Sequence, residues 1–265
     1  MKNLQRTLTY YIWRDQTFMG ISLFILIVGF MLPIWVGNKT GFQFDNWMAP
    51  LTLVTPLSLF FYFVIPLYLS FFLTEGFEYG SIKHVIASGY SRTNYIMGKY
   101  LSSIKVIVWW IVQFFGVFYI VYLLAALVSG SSIKHVNLGH DSMVSVSVIL
   151  LNVLYLAAYA AIIMLIGVMV KRTATAVVAT FIVVFGDFMI SGYFRESSSD
   201  FLLWLSNHTF TTQIMKFSGI YVLNSEQILL SGISEYSMTL VIPLIWISLC
   251  LSLTYLLFRR QDIQF

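Results

Sequence analysis

Six long apolar runs constrain this chain more than any other feature: Phe18 to Val36, Trp47 to Leu73, Val106 to Val128, Val144 to Val170, Ala174 to Tyr193 and Met238 to Phe258. At about 1.5 Å of rise per helical residue, each is long enough to cross a hydrocarbon layer of about 30 Å. A backbone in lipid must satisfy its own hydrogen bonds, which leaves helices or a closed barrel. A barrel would alternate in polarity over segments of about ten residues, and these runs do not. The expected fold is an all-α polytopic membrane protein with six transmembrane helices, forming a single domain over 1–265. Composition excludes an aqueous particle: 59% of residues are hydrophobic and 10% charged, with a mean hydropathy of +0.84. That leaves too little polar surface to face water on all sides.

Lysine and arginine set the orientation. With spans alternating in direction, Lys2, Arg6, Arg14, Lys83, Arg92, Lys99, Lys171, Arg172, Arg259 and Arg260 fall on one side. Lys39, Lys134, Arg195 and Lys216 fall on the other. The positive-inside bias puts both termini in the cytoplasm. The net charge of +4 is thus a topology signal, and with no aqueous domain to cluster it, nucleic acid is not an expected partner. Lys105, near the cytoplasmic end of its span, is expected to snorkel to the head groups.

The first run begins only at Phe18 and no small-residue cleavage pattern follows, so it reads as a retained span and not as a secretory signal. Ahead of it, over 1–17, Leu4, Leu8, Tyr11 and Ile12 recur at helical spacing between Lys2, Arg6 and Arg14. This is the pattern of an amphipathic helix lying in the cytoplasmic interface; a disordered leader is the alternative. Cys250, the one cysteine, lies within the sixth span and reads as a small packing residue.

Connections differ in length. Lys171, Arg172 and Thr173 alone join the fourth and fifth spans, which predicts a tight antiparallel hairpin, whereas 74–100 and 191–237 are long enough to carry structure of their own. In the cytoplasmic connection Ser81 is expected to cap a short helix that Gly89 ends, with Ile82, Val85 and Ile86 on one face. Ser91 would cap the next helix, which leads through Lys99 into the third span. Such a segment is either a lever on two spans or an interfacial helix that closes a turn. In the external loop, Phe201 to Leu205 and Ile214 to Leu223 are apolar enough to lie back on the membrane as short helices, either closing an exit or stabilising the end of the bundle.

Glu78-x-Gly80-Ser81-Ile82, then Gly89-x-Ser91-Arg92 and Lys99, together with the six spans and the enlarged loop after the fifth, resemble the permease subunits of ABC transporters of the type-2 exporter class (ABC-2 type). Its members include lantibiotic, bacitracin and other antimicrobial-peptide export and immunity permeases. The resemblance implies that Glu78, Gly80, Ser81, Ile82, Val85, Ile86, Ser91 and Arg92 form a coupling helix that docks on a cytoplasmic ABC ATPase. It also implies a dimer with a second permease copy or a related permease, the second and fifth spans facing each other around the pathway, in the plasma membrane of a bacterial cell. Nucleotide must then be held elsewhere. The phosphate-loop pattern is absent, since Gly98-Lys99 has Thr93 where its first glycine belongs. No cofactor is expected in this chain, ATP and Mg belonging to the partner, and no metal site or enzymatic activity is expected either. His135 and His140 on one external loop read as solvated residues.

Polar groups inside a bilayer cost free energy. Asp187, the only carboxylate within a predicted span, shares a stripe with Thr180 and Ser191. On the second span Thr52, Thr55, Ser58 and Tyr62 share a face, and Pro50, Pro56 and Pro66 should bend or open that helix. Either these groups line a pathway for an amphipathic substrate, with Asp187 meeting a cationic one, or they satisfy one another and external water. Ala157, Ala158, Ala160, Ala161 and Gly167 on the fourth span are small enough for close helix packing. The leading function is the membrane subunit of an ATP-driven exporter of amphipathic peptides or lipid-like compounds. The alternatives are a substrate-capturing subunit of an importer and a non-transporting scaffold or sensor.

Overall fold

The computed structural model describes residues 2–42, 47–130, 138–223, 226–228, 230 and 233–260. Six of its helical segments are long and apolar enough to cross a membrane, the architecture of a multi-pass membrane protein. The elements are α1 (Lys2–Arg14), α2 (Gln16–Thr40), α3 (Ala49–Val54), a 3-10 turn (Thr55–Phe60), α4 (Phe61–Glu78), α5 (Ser81–Ala87), α6 (Arg92–Val128), α7 (Leu138–Val170), α8 (Thr173–Tyr193), α9 (Asp200–Asn207), α10 (Phe210–Phe217) and α11 (Ile233–Arg260). A two-residue antiparallel pairing, Val222–Leu223 with Glu226–Gln227, is the one extended element among the described residues.

Helix boundaries follow local chemistry. Asp15 takes an extended conformation between α1 and α2 and accepts a hydrogen bond from the Thr17 amide, so a single residue stops one helix and caps the next. Gly41 closes α2 in the left-handed region at φ 75°, where a Cβ would be strained. Ser91 caps α6 as expected, its Oγ accepting from the Asn94 amide at 3.1 Å. That cap starts the helix well before the apolar run, and α6 reaches about 55 Å. In the second span the ladder changes from α to 3-10 at Thr55–Phe60, where Pro56 removes an amide donor.

The centre of the bundle is α4 and α7. Their most apolar stretches are 61% buried, against 17% for α2 and α11. Ala158, Ala160 and Ala161 have no exposed surface, and Ala157 has 5%, so the small residues of α7 serve packing. Gly167 and Gly76 act similarly: a Cβ on Gly167 would meet Thr74 Oγ1, and one on Gly76 would collide with the Tyr95 hydroxyl. Between α2, α4 and α6 runs an aromatic column. Phe18 stacks on Trp110, Tyr68 meets Trp110 edge-on, and Phe61 meets Phe114 edge-on. Trp110 Nε1 is satisfied by Ser22 Oγ at 2.7 Å, as a buried indole requires.

Outward faces carry large apolar side chains, among them Leu23, Phe24 and Met31 on α2, Val178 and Ile182 on α8, and Leu244 and Ile245 on α11. Such continuous surface needs lipid or another apolar face. Helix α1 and the last turn of α11 lie at one end, because Gln5 on α1 donates to the Gly98 carbonyl and Arg92 donates to the Phe258 carbonyl. This basic end also carries α5 and the turn between α7 and α8.

Exposed Lys105 also finds protein partners: its Nζ donates to Gln5 Oε1 at 2.8 Å and to Thr9 Oγ1 at 3.2 Å, so it anchors α1 on α6. Two buried residues of α1, Leu4 and Ile12, complete that seat.

Beneath it lies an ion pair absent from the sequence expectation. Lys99, 4% exposed, contacts Glu75 Oε1 at 3.1 Å and donates to the Phe72 carbonyl at 2.7 Å. Glu75 Oε2 accepts from the Tyr11 hydroxyl at 3.0 Å; enclosure and the neighbouring carboxylate push the Tyr11 phenol up to about 12. Lys99→Met alone strands a carboxylate and is expected to cost about 3 kcal/mol or more, whereas Lys99→Met with Glu75→Leu recovers most of the loss. Thermal unfolding of the two variants and the parent protein in detergent measures this.

Candidate functional site

The connection after the second span is built on a glycine. Tyr79 leaves α4, and Gly80 turns the chain at φ 68°, a conformation glycine reaches without strain. Ser81 was the expected cap, but Gly80 holds that position, with no side-chain cap bond, and Ser81 is the first helical residue. Backbone geometry explains the difference. An abrupt exit from α4 needs a left-handed residue, and the residue supplying it becomes the helix boundary. The far end agrees with expectation, Gly89 lying at φ 88° just beyond α5.

Ile82 is buried at 6%, and Val85 and Ile86 pack partly buried against the core. These are the three residues that the spacing placed on one face. Lys83, His84 and Ser88 are exposed, and Tyr79 is 80% exposed beside the turn.

Glu78 and Arg92 bracket this short helix, and each reaches a different membrane-length helix. Glu78 Oε2 accepts from the Thr173 amide at 2.7 Å, placing a carboxylate at the start of α8, where free amides and the helix dipole favour negative charge. Arg92 donates to the carbonyls of Phe258 and Arg259 at 2.9 and 3.0 Å, the converse arrangement at the end of α11. Its guanidinium also lies over the Phe258 ring. The connection is therefore fixed to the fifth and sixth spans as well as to the second and third, which it joins covalently. Neither tether was visible in the sequence, because the partners lie 95 and 166 residues away.

At the opposite end the predicted stripes are brought together by α10. Asp187 Oδ1 accepts from the Phe210 amide at 3.1 Å, and Oδ2 accepts from the Thr211 amide and hydroxyl, both at 2.7 Å, and from the Tyr159 hydroxyl at 3.2 Å. It binds the first turn of α10, whose own cap is Thr209. Ser191 Oγ shares a hydrogen bond with Thr212 Oγ1 at 2.7 Å. Thr180 is buried, and its hydroxyl has no partner among the described residues.

From the second span Ser58 meets Ser218 at 3.2 Å, Tyr62 donates to Asn152 Oδ1 at 3.0 Å, and Thr55 donates to the Leu51 carbonyl at 2.7 Å. These hydroxyls are satisfied inside the subunit. The second-span and fifth-span groups meet through α10, whose residues Phe210 to Ile214 and Phe217 are buried. Ile214 to Leu223 was expected to lie back on the membrane; its first residues form part of a plug set into the bundle. Phe201 and Trp204 on α9 remain exposed at 67% and 55%. The side chains of His135 and His140 lie outside the described residues.

Sequence reasoning missed Glu75, Tyr159 and Thr211. The available signal was weak: a carboxylate and a lysine at the margins of two apolar runs that pack together. Asp187→Ala should free the first amides of α10. Hydrogen exchange at Phe210 and Thr211 is expected to accelerate about tenfold to a hundredfold, with little change in α5.

No family model matches the chain, and no curated protein matches it either.

Proposed function

We propose that this chain is the membrane-spanning subunit of an ATP-driven exporter resembling the type-2 ABC class. In this reading the basic end faces the cytoplasm of a bacterial cell, and a separate ABC ATPase holds ATP and Mg. A second permease copy, or a related one, completes the pathway, and the cargo is an amphipathic peptide or antimicrobial, lipid-like compound. One observation carries the reading: the two helix ends that flank a short, half-exposed helix are tethered by charged side chains to two further membrane helices. A surface turn that only closed a loop would need neither Glu78 on α8 nor Arg92 on α11.

Those tethers make α5 a handle. A push on it reaches α4 and α6 through the chain, α8 through Glu78, and α11 through Arg92. Tyr79, Lys83 and His84 present an aromatic and cationic surface, of the kind that anchors protein interfaces when an aromatic fills a pocket. ATP-driven closure of the partner would rock the first three spans against the last three, and the path between protomers would open or squeeze. A dimer would bury part of the exposed apolar face of α8, with lipid covering the rest.

Co-purification with a cytoplasmic ABC ATPase from the same cell tests the reading. Tyr79→Ala and Lys83→Glu change exposed side chains and are expected to lower recovery of the ATPase about tenfold while leaving the melting temperature of the permease unchanged. Gly80→Pro, whose φ of 68° a proline ring forbids, should abolish recovery. Full ATPase recovery with all three variants would reject the coupling role. ATP-dependent uptake would select an importer subunit instead, and no ATP-dependent transport in either direction would select a scaffold.

A further inference from the structure

Helices α8 and α11 both pack on α7 but leave a gap between them, and α9 and α10 roof it. The gap is a cleft of about 620 Å³ whose lining includes Tyr159, Asp187, Trp204, His208, Phe210 and Trp246. We infer that this cleft is a binding site for the primary-ammonium head of a single-chain, lipid-like amphipath. The inference does not rest on the coupling assignment: binding here needs no ATPase, so the two fail separately.

Charge carries the argument. Asp187 is held by two amides and two hydroxyls, which orient a carboxylate but do not neutralise it. No lysine or arginine lines the cleft, and the one ion pair among the described residues is Lys99 with Glu75. Helix α10 supplies at most about half a charge from its dipole, and its two turns supply less. A half-buried carboxylate that lines a largely apolar cleft within a membrane span calls for a cation.

Hydrogen bonding narrows the cation to one with N–H groups. Three of the four bonds fall on Asp187 Oδ2, and Oδ1 takes one, leaving it a free acceptor position. His208 Nδ1 lies 2.7 Å from the Trp204 carbonyl. A carbonyl only accepts, so Nδ1 donates to it. The cleft thus presents an acceptor and a negative charge between aromatic faces. Trp204 and Trp246 are 55% and 44% exposed, and tryptophan faces attract ammonium groups. The remaining lining, with Ile162, Ile182 and Ile190, suits an alkyl chain. An anionic head would meet Asp187 with no compensating cation.

The test uses full-length protein in phosphatidylcholine nanodiscs at neutral pH, titrated calorimetrically with dodecylamine and with dodecyltrimethylammonium, with empty discs subtracted. Dodecylamine is expected to show one saturable site, about tenfold tighter than its trimethyl analogue, the worth of one charge-assisted hydrogen bond. Asp187→Asn should bring the two affinities together. Ile182→Trp, at an exposed wall position, should remove saturable binding by filling the cleft while hydrogen exchange at Phe210 and Thr211 stays at the wild-type rate. Equal affinity for the two heads, or dodecylamine binding unchanged in either variant, would overturn the inference.

Discussion

A lysine ammonium held inside an apolar bundle sets the terms for everything at the basic end. Lys99 sits deep on α6 and is tolerable there only because Glu75 and the Phe72 carbonyl of α4 meet it. Tyr11 closes the other side of Glu75, so α1, α4 and α6 share a single charge-compensated knot. A shift of one helix against another would unpair a charge in a medium that solvates it poorly. The pair therefore specifies the register of three helices, whatever its net contribution to stability.

The connection through α5 rises from this base, which is why its tethers matter mechanically. Glu78 lies less than a turn beyond Glu75 and Arg92 two turns before Lys99, so the helix ends that carry the knot also carry the contacts to α8 and α11. A cleft of about 640 Å³ beside the connection is lined by Asp15, Glu75 and Glu78, and each carboxylate already holds a protein donor: Asp15 the Thr17 amide and Tyr68 hydroxyl, Glu75 the Lys99 ammonium, Glu78 the Thr173 amide. Acidic groups there fasten helices to one another.

The opposite end is organised by the same rule with different partners. Asp187, Ser191, Ser58 and Gln213 all direct hydrogen bonds at or from α10 and its flanks, and Gln213 reaches Thr239 on α11 at 2.8 Å. A short polar helix thus enters an apolar bundle only where side chains of three spans meet its polar groups. Asp187 is the carboxylate of the fifth span, and among the described residues no lysine or arginine pairs with it, which separates it from the groups whose role is packing.

Much of this was legible in one dimension. Six apolar runs dictate six helices because lipid offers the backbone no alternative partner, and the 3.6-residue periodicity of Ile82, Val85 and Ile86 marked the buried face of α5. Ser91 and Gly89 announced their boundaries through local hydrogen bonding and left-handed geometry. Ser81 did not, because the path out of α4 gave the boundary to Gly80. Long-range polar pairing was invisible: Lys99 with Glu75, Glu78 with Thr173, Arg92 with Phe258 and Asp187 with Thr211 join segments that apolar periodicity places in no particular order. Local chemistry determined what each segment would be; only the packing of α4 and α7 at the centre decided which segments became neighbours, because a hydrogen bond needs its partners within about 3 Å and no sequence spacing sets that distance.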